Sequence, residues 1–199
     1  MSKVRAVDGR PAAPATVRLR EWEEGDLWVL RRTNSAEMTE HLGGPESESQ
    51  LLARQERYLR LDGDGGRMYV VMANIGAGTG TGTGAGPAEE AVGSIGFWGR
   101  VWQEEPVYET GWGVFPEFQG HGIAAAAARA VVERAAAIGT RRHLHAYPSV
   151  DHPASNAVCR RAGFTLLGEV GFEYPKGNPI RCNDWRIELP ASPAEPIPR

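Results

Sequence analysis

The chain has 199 residues, of which 41% are hydrophobic and 24% are charged, which predicts a folded protein with a sizeable core rather than a disordered or fibrous chain. The net charge of −3 offers no basic surface for nucleic acid or an anionic membrane, and no apolar run approaches the length of a membrane span. Two cysteines are too few for a disulfide framework and the first residues lack the apolar region of a secretory signal, so we expect a cytoplasmic protein.

We expect a single domain over residues 16–190, between a flexible N-terminal segment (1–15) and a flexible, proline-rich tail (191–199). Glycine is abundant, with 25 residues, and many of them lie in the run GAGTGTGTGAG at 76–86. This run lacks the Lys-Ser/Thr pair and the following helix of a phosphate-binding loop. It therefore predicts a mobile linker or hairpin loop.

The hydrophobic pattern predicts seven strands and four helices in the order β-α-α-β-β-β-α-β-α-β-β. The predicted strands are 16–22, 68–75, 91–98, 107–115, 141–147, 164–173 and 182–189. The predicted helices are 26–33, 47–59, 123–138 and 153–162. A strand-helix-strand unit in the middle favours a parallel pair, and the hairpins around it favour antiparallel pairs. The expected fold class is therefore α/β, with a mixed, mostly antiparallel sheet flanked by about four helices.

The segment YETGWGVFPEFQGHGIA, residues 108–124, combines a strand, a glycine-rich turn and the start of a helix. Backbone N–H groups at a helix start lack intrahelical partners and favour an anion. Gly120 and Gly122 would let a phosphate approach those groups without a Cβ in the way. Taken alone, the pattern is equally typical of a tight turn.

The same segment resembles motif A of the GNAT N-acetyltransferase superfamily, and SNAVCRRAGF at 155–164 resembles its second signature, at the matching separation. Residues 108–117 and HLGGP at 41–45 are similar to the ribosomal-protein alanine acetyltransferase (RimJ/RimL-like) branch. The resemblance covers residues 16–190. It implies a splayed parallel strand pair and transfer of an acetyl group from acetyl-CoA, without a metal, to a primary amine. The acceptor would be a small molecule or a protein N-terminus, and the enzyme a monomer or a homodimer.

The resemblance also implies roles for residues by position. Backbone groups of Gly113, Val114 and Phe115 would pair with pantetheine, and the Val114 N–H would stabilise the oxyanion. The pyrophosphate would lie on Gln119, Gly120, His121, Gly122, Ile123 and Ala124. Ser155 and Asn156 would line the pantetheine arm or the adenosine side.

The attacking amine must lose a proton, and Glu109 stands where this branch often places a general base. The alternative for Glu109 is a structural ion pair. Cys159 occupies the place where many relatives carry a Tyr that acts as the general acid, and we expect it to be a buried core residue instead. Trp98 and Trp102 flank the hairpin on the acceptor side and are candidates for the acceptor pocket. A CoA-binding module that has lost transfer remains the alternative function.

Two further histidines, His143 and His145, alternate on one predicted strand face. A pair of imidazoles on a strand can contribute to a metal site, but no third ligand is visible at a suitable spacing. We therefore expect no metal.

Overall fold

The structure is a computed structural model that describes residues 16–74, 89–173, 177 and 179–190. The predicted flexible ends and the Gly/Thr run at 76–86 lie outside the described residues. Within the described part, no helix has the length and apolar character needed to cross a membrane.

In the described part of the chain, seven strands form one mixed sheet in the order β1-β2-β3-β4-β5-β7-β6. Only β4 and β5 pair in parallel; the other neighbours are antiparallel. The strand bounds are β1 Thr16–Glu21, β2 Gly66–Asn74, β3 Glu90–Trp102, β4 Glu105–Val114, β5 His143–Ala146, β6 Thr165–Glu173 and β7 Pro179–Glu188. The predicted fold class and the antiparallel pairing of the second and third strands are confirmed.

The helices are α1 Leu27–Thr33, α2 Ala36–Thr39, α3 Glu48–Leu59, α4 Ile123–Ile138 and α5 Pro153–Ala162. Four of them were predicted, whereas the one-turn α2 was not, because four residues are too short to show a helical period. The predicted capping box is present at α3, where Ser47 accepts from the Gln50 amide. Gly139 and Gly163 end α4 and α5 in the left-handed conformation.

Strands β3 and β4 form a longer hairpin than predicted. Gln103 and Glu104 make the turn, both with positive φ, and Trp102 pairs with Glu105. The left-handed conformation at both turn residues matches the twist of a tight hairpin. The strands therefore extend past Trp98 to the turn.

Each face of the sheet is covered by different helices. On one face, alanines and Val131 of α4 pack with core residues such as Tyr108 and Leu144. On the other face, α1 and α3 cover β2 through a second cluster that includes Leu30 and Val70. This second face, where it continues over β4, β5 and β7, carries the polar and aromatic groups of the candidate site.

Candidate active site

The parallel pair β4 and β5 separates after a short contact. Their register pairs are Tyr108 with Leu144 and Glu109 with His145, whereas β4 continues to Val114. Beyond Glu109, the edge of β4 that faces β5 therefore borders a gap. Along a strand, successive N–H groups point alternately to one edge and to the other.

This alternation decides which amides of β4 face the gap. The Phe115 N–H donates to the Val92 carbonyl of β3 at 2.8 Å, and the Phe115 carbonyl accepts from Phe118 at 2.9 Å. In contrast to expectation, the backbone of Phe115 is thus engaged within the chain. The Gly113 N–H shares the β3 side by alternation, and the N–H groups of Val114 and Trp112 face the gap. Trp112 was not among the sequence candidates, since only the strand register identifies it.

Gly113 allows two helices to approach β4 closely. A Cβ at this position would lie 3.2 Å from Cγ2 of Thr33 and 3.5 Å from Cε of Met38. These residues belong to α1 and α2, so both helices lie over the end of β4 on the acceptor face.

The glycine turn before α4 is open to solvent. Gly120 and Gly122 have φ values of 80° and 78°, which residues with a Cβ adopt only with steric strain. A Cβ at either position would meet no protein atom within 4 Å. No side chain caps the helix, and the Ala126 N–H, which donates to the Gly122 carbonyl, makes the first intrahelical bond. The preceding amides, including those of Ile123 and Ala124, form an open cradle that an anion fits.

Gln119 and His121 contribute differently to this turn. The Gln119 side-chain amide donates to the Val114 carbonyl at 2.9 Å, so it braces the turn against the end of β4. His121 is exposed, with Nδ1 3.3 Å from the Phe118 carbonyl oxygen. Both residues are exposed to solvent, and His121 lies between the two glycines of the turn.

The Asn156 side chain is engaged within the protein, in contrast to its expected place beside the pantetheine arm or the adenosine side of the donor. Its side-chain amide donates to the carbonyls of Ser149 and His152, both at 2.8 Å. Its oxygen accepts from Asn183 at 2.7 Å and from the Trp185 indole at 2.8 Å. These four bonds leave the 5% exposed side chain no capacity for a ligand. The neighbouring Ser155 is half-buried and remains a candidate.

Glu109 forms the ion pair that the sequence left open as an alternative. Its Oε2 lies 2.6 Å from Nη1 of Arg100, and its side chain is 16% exposed. Trp98, half-buried on β3, pairs with Glu109 across the hairpin. Because register partners share a face of the sheet, Trp98, Glu109 and His145 lie together beside the gap.

The Arg100 guanidinium lies among three aromatic rings, which we call the aromatic box: Trp102, Tyr147 and Phe172. Its central carbon lies 5.1, 5.3 and 4.4 Å from the respective ring centroids. Sequence analysis identified Trp102 but not Arg100, Tyr147 or Phe172. The four residues come from β3, the end of β5 and β6, so no local pattern could reveal the box.

A sequence model of the acetyltransferase (GNAT) domain matches residues 16–165. The chain belongs to this family. The family resemblance and the acetyltransferase class that the sequence predicted are thereby confirmed. No match to a functionally curated protein was found.

The GNAT fold is also present in many solved structures. Spermidine N-acetyltransferase from Vibrio cholerae, in complex with CoA and spermine, superposes with a TM-score of 0.64 and 17% identity, covering 87% of this chain and 95% of that one. An acetyltransferase from Salmonella typhimurium that modifies the N-terminal serine of ribosomal protein L7/L12 gives 0.65 and 22%, with the same coverages. Aminoglycoside acetyltransferase AAC(6')-Ib with coenzyme A gives 0.64 and 20%, again over 87% and 95%. The ribosomal-protein branch is thus represented among neighbours that act on very different amines.

Both cysteine thiols are buried and have raised pKa values. Cys159 is fully buried, as expected, and burial raises the pKa of its thiol to about 12. Burial, reinforced by the charge of Glu109, raises the pKa of Cys182 to about 11. Neither thiol is suited to proton transfer at neutral pH.

Tyr147 is a functional candidate that sequence reasoning missed. Its hydroxyl is buried and has no hydrogen-bond partner among the described residues. Burial, followed by the charge of Asp184, raises the pKa of Tyr147 well above its ordinary value. The hydroxyl therefore keeps its proton at neutral pH and can donate a hydrogen bond to a bound group, but it is a poor general acid.

Three histidines make close side-chain contacts, one with a carboxylate and two with each other. His145 Nδ1 is 2.7 Å from the buried Asp184 carboxylate, whereas His41 and His152 stack with ring centroids 4.3 Å apart. Burial, and then the charge of His41, lowers the pKa of His152. Within the described ranges, no group of three His, Cys, Asp or Glu side chains is arranged to hold a metal ion.

Proposed function

We propose that the chain is an N-acetyltransferase that moves an acetyl group from acetyl-CoA to a primary amine, within a ternary complex. The observation that carries the proposal is the open glycine cradle at the start of α4, directly after a strand edge that faces a gap, in a member of the GNAT family. Neighbours of the same fold hold CoA or acetyl-CoA. This supports the same donor here.

The cradle fits the pyrophosphate of this donor. A Cβ at Gly120 or Gly122 would point into open space, so no protein atom fills the region next to these two residues of the turn. The edge of β4 would bind the pantetheine arm through Trp112 and Val114, with Ser155 on the other side. Backbone donors of this kind need no reorganisation when charge develops on the thioester oxygen.

Distance along β4 indicates which amide stabilises the oxyanion. At about 3.3 Å per residue, Val114 lies ~17 Å from Glu109 and Trp112 lies ~10 Å from it. A base on Glu109 serves an amine near Trp112 through fewer water molecules. Trp112 is therefore the preferred oxyanion donor in this proposal, and Val114 binds the pantetheine arm.

Glu109 would accept the proton that the amine loses, directly or through water. The neutral amine would then attack the carbonyl carbon of the thioester, and the carbon–sulfur bond would break. The departing thiolate needs a proton, which solvent would supply, because burial raises the pKa of both Tyr147 and Cys159 and makes each a poor proton donor.

Turnover is tested by measuring thiol release from acetyl-CoA with a panel of amines and peptide N-termini. Glu109→Gln keeps the shape of the side chain but removes the base, and we expect kcat to fall by about 10²–10⁴. Glu105→Gln is the matched control, because Glu105 lies on the same strand and is 69% exposed. Glu109 is structural if its variant keeps more than about a third of the wild-type kcat.

Binding of CoA without release of thiol for any amine would support the alternative, a non-catalytic GNAT module. A cytoplasmic location and a monomeric or homodimeric state complete the proposal. The location rests on two buried free cysteines, which suit a reducing compartment. Gel filtration of the purified chain tests the oligomeric state.

A further inference from the structure

The aromatic box has the composition of a site for a ligand cation. Three rings surround one guanidinium, and the Glu109 carboxylate contacts the same group at 2.6 Å. Proteins bind ammonium and guanidinium ligands with this combination of ring faces and a carboxylate. In this chain the position is filled by Arg100, which is a residue of the protein itself.

The box lies on the acceptor side of the gap. Glu109 and His145 form the last register pair before β4 and β5 separate, and Arg100 contacts Glu109 from the neighbouring strand. The box therefore lies next to the point at which β4 and β5 separate.

The second buried carboxylate on this face is also engaged. Asp184 is 2% exposed, and its two oxygens lie 2.7 Å from His145 Nδ1 and 3.0 Å from the Trp102 indole nitrogen. The contact with Trp102 also fixes one ring of the box. The carboxylates of Glu109 and Asp184 therefore both already have partners within the chain, and Arg100 is the partner of Glu109.

We infer that Arg100 is a specificity-determining residue that occupies the cation position of the acceptor pocket and selects amines without a second positive charge. The inference rests on the proposed function. A second ammonium group close to the reacting amine would find the ring faces and the Glu109 carboxylate already occupied by Arg100. A cation that enters without these partners loses hydration and gains no compensating contact.

The test compares 1-aminopentane with 1,5-diaminopentane, which differ only in the second amine. We expect wild-type kcat/KM to favour the monoamine at least tenfold. Arg100→Gln should move the ratio toward the diamine by at least tenfold, whereas Arg100→Lys should keep the wild-type preference. Arg181→Gln is the matched control, because Arg181 is 71% exposed and pairs with Glu169.

The ratio of two substrates on one enzyme cancels any loss of kcat caused by disturbing Glu109. A ratio for Arg100→Gln within threefold of wild type would overturn the inference, as would equal use of both amines by the wild type. If no amine is acetylated, the proposed function fails, and calorimetry still decides the inference. Diaminopentane should then bind Arg100→Gln at least tenfold more tightly than the wild type, and equal binding would overturn it.

Discussion

The substitution Asn156→Ala on α5 tests whether this side chain stabilises the fold or binds the cofactor. The substitution removes four hydrogen bonds and leaves the partners on Ser149, His152, Asn183 and Trp185 without them. Each such bond contributes about 1 kcal/mol net, and a buried donor left unpaired, such as the Trp185 indole, costs more. We expect a loss of about 3–4 kcal/mol, which corresponds to a fall of roughly 8–12 °C in Tm for a chain of this size.

Thermal unfolding measures this loss, and calorimetry with CoA, well below the Tm of the variant, measures binding. CoA affinity should change less than threefold, because the Asn156 side chain has no free hydrogen-bonding capacity. Ser155→Ala is the control on the same helix, and its stability should stay within about 0.5 kcal/mol of wild type. A Tm within 2 °C of wild type together with a tenfold loss of CoA affinity for Asn156→Ala would refute the scaffold role.

Three further predictions follow from the cradle, the thiols and the stacked histidines. Gly122→Asp should weaken CoA binding at least tenfold, or ~1.4 kcal/mol. Gly122→Ala is the control, because it adds the backbone strain without the charge. Unchanged CoA affinity in a folded Gly122→Asp protein would contradict the cradle as the pyrophosphate site. Cys159 and Cys182 should react with a thiol reagent only after unfolding, so rapid labelling of the native protein would show that our description of their burial is wrong. The pKa of His152 is lowered in the folded state, so the unfolded chain binds this proton first and stability should fall as pH drops below about 6.5. His152→Gln should reduce this dependence of the unfolding free energy on pH, measured by denaturant titration at several pH values. An unchanged dependence would mean that other groups cause it, such as His143, whose pKa is also lowered by burial.

The sequence was sufficient to predict the parts of the fold that depend on local patterns. Gly139 and Gly163 stop two helices where predicted, and the glycine turn at Gly122 opens α4 as expected. The extension of β3 and β4 was missed because its turn uses Gln103 and Glu104, which are not the residues that favour a left-handed turn.

Asn156 shows a limit of a different kind. An Asn in a family signature is compatible with a ligand contact and with a structural contact, and only its partners distinguish the two. Those partners come from the loop before α5 and from β7, which includes Trp185. The sequence places α5 correctly but gives no indication of which side chains of β7 it meets.

The two halves of the proposed site differ in how they are built, and this explains why one was predictable. The donor side is made of backbone amides, and its sequence requirement is a few glycines at fixed spacing, so a short motif reveals it. The acceptor side is made of side chains from β3, β4, β5, β6 and β7 that meet only in the folded sheet. Exchanging one of them, such as Arg100, leaves the backbone cradle intact. Selectivity among amines can therefore change while the donor stays the same, which fits structural neighbours of the same fold that include enzymes acting on spermidine, aminoglycosides and a ribosomal protein.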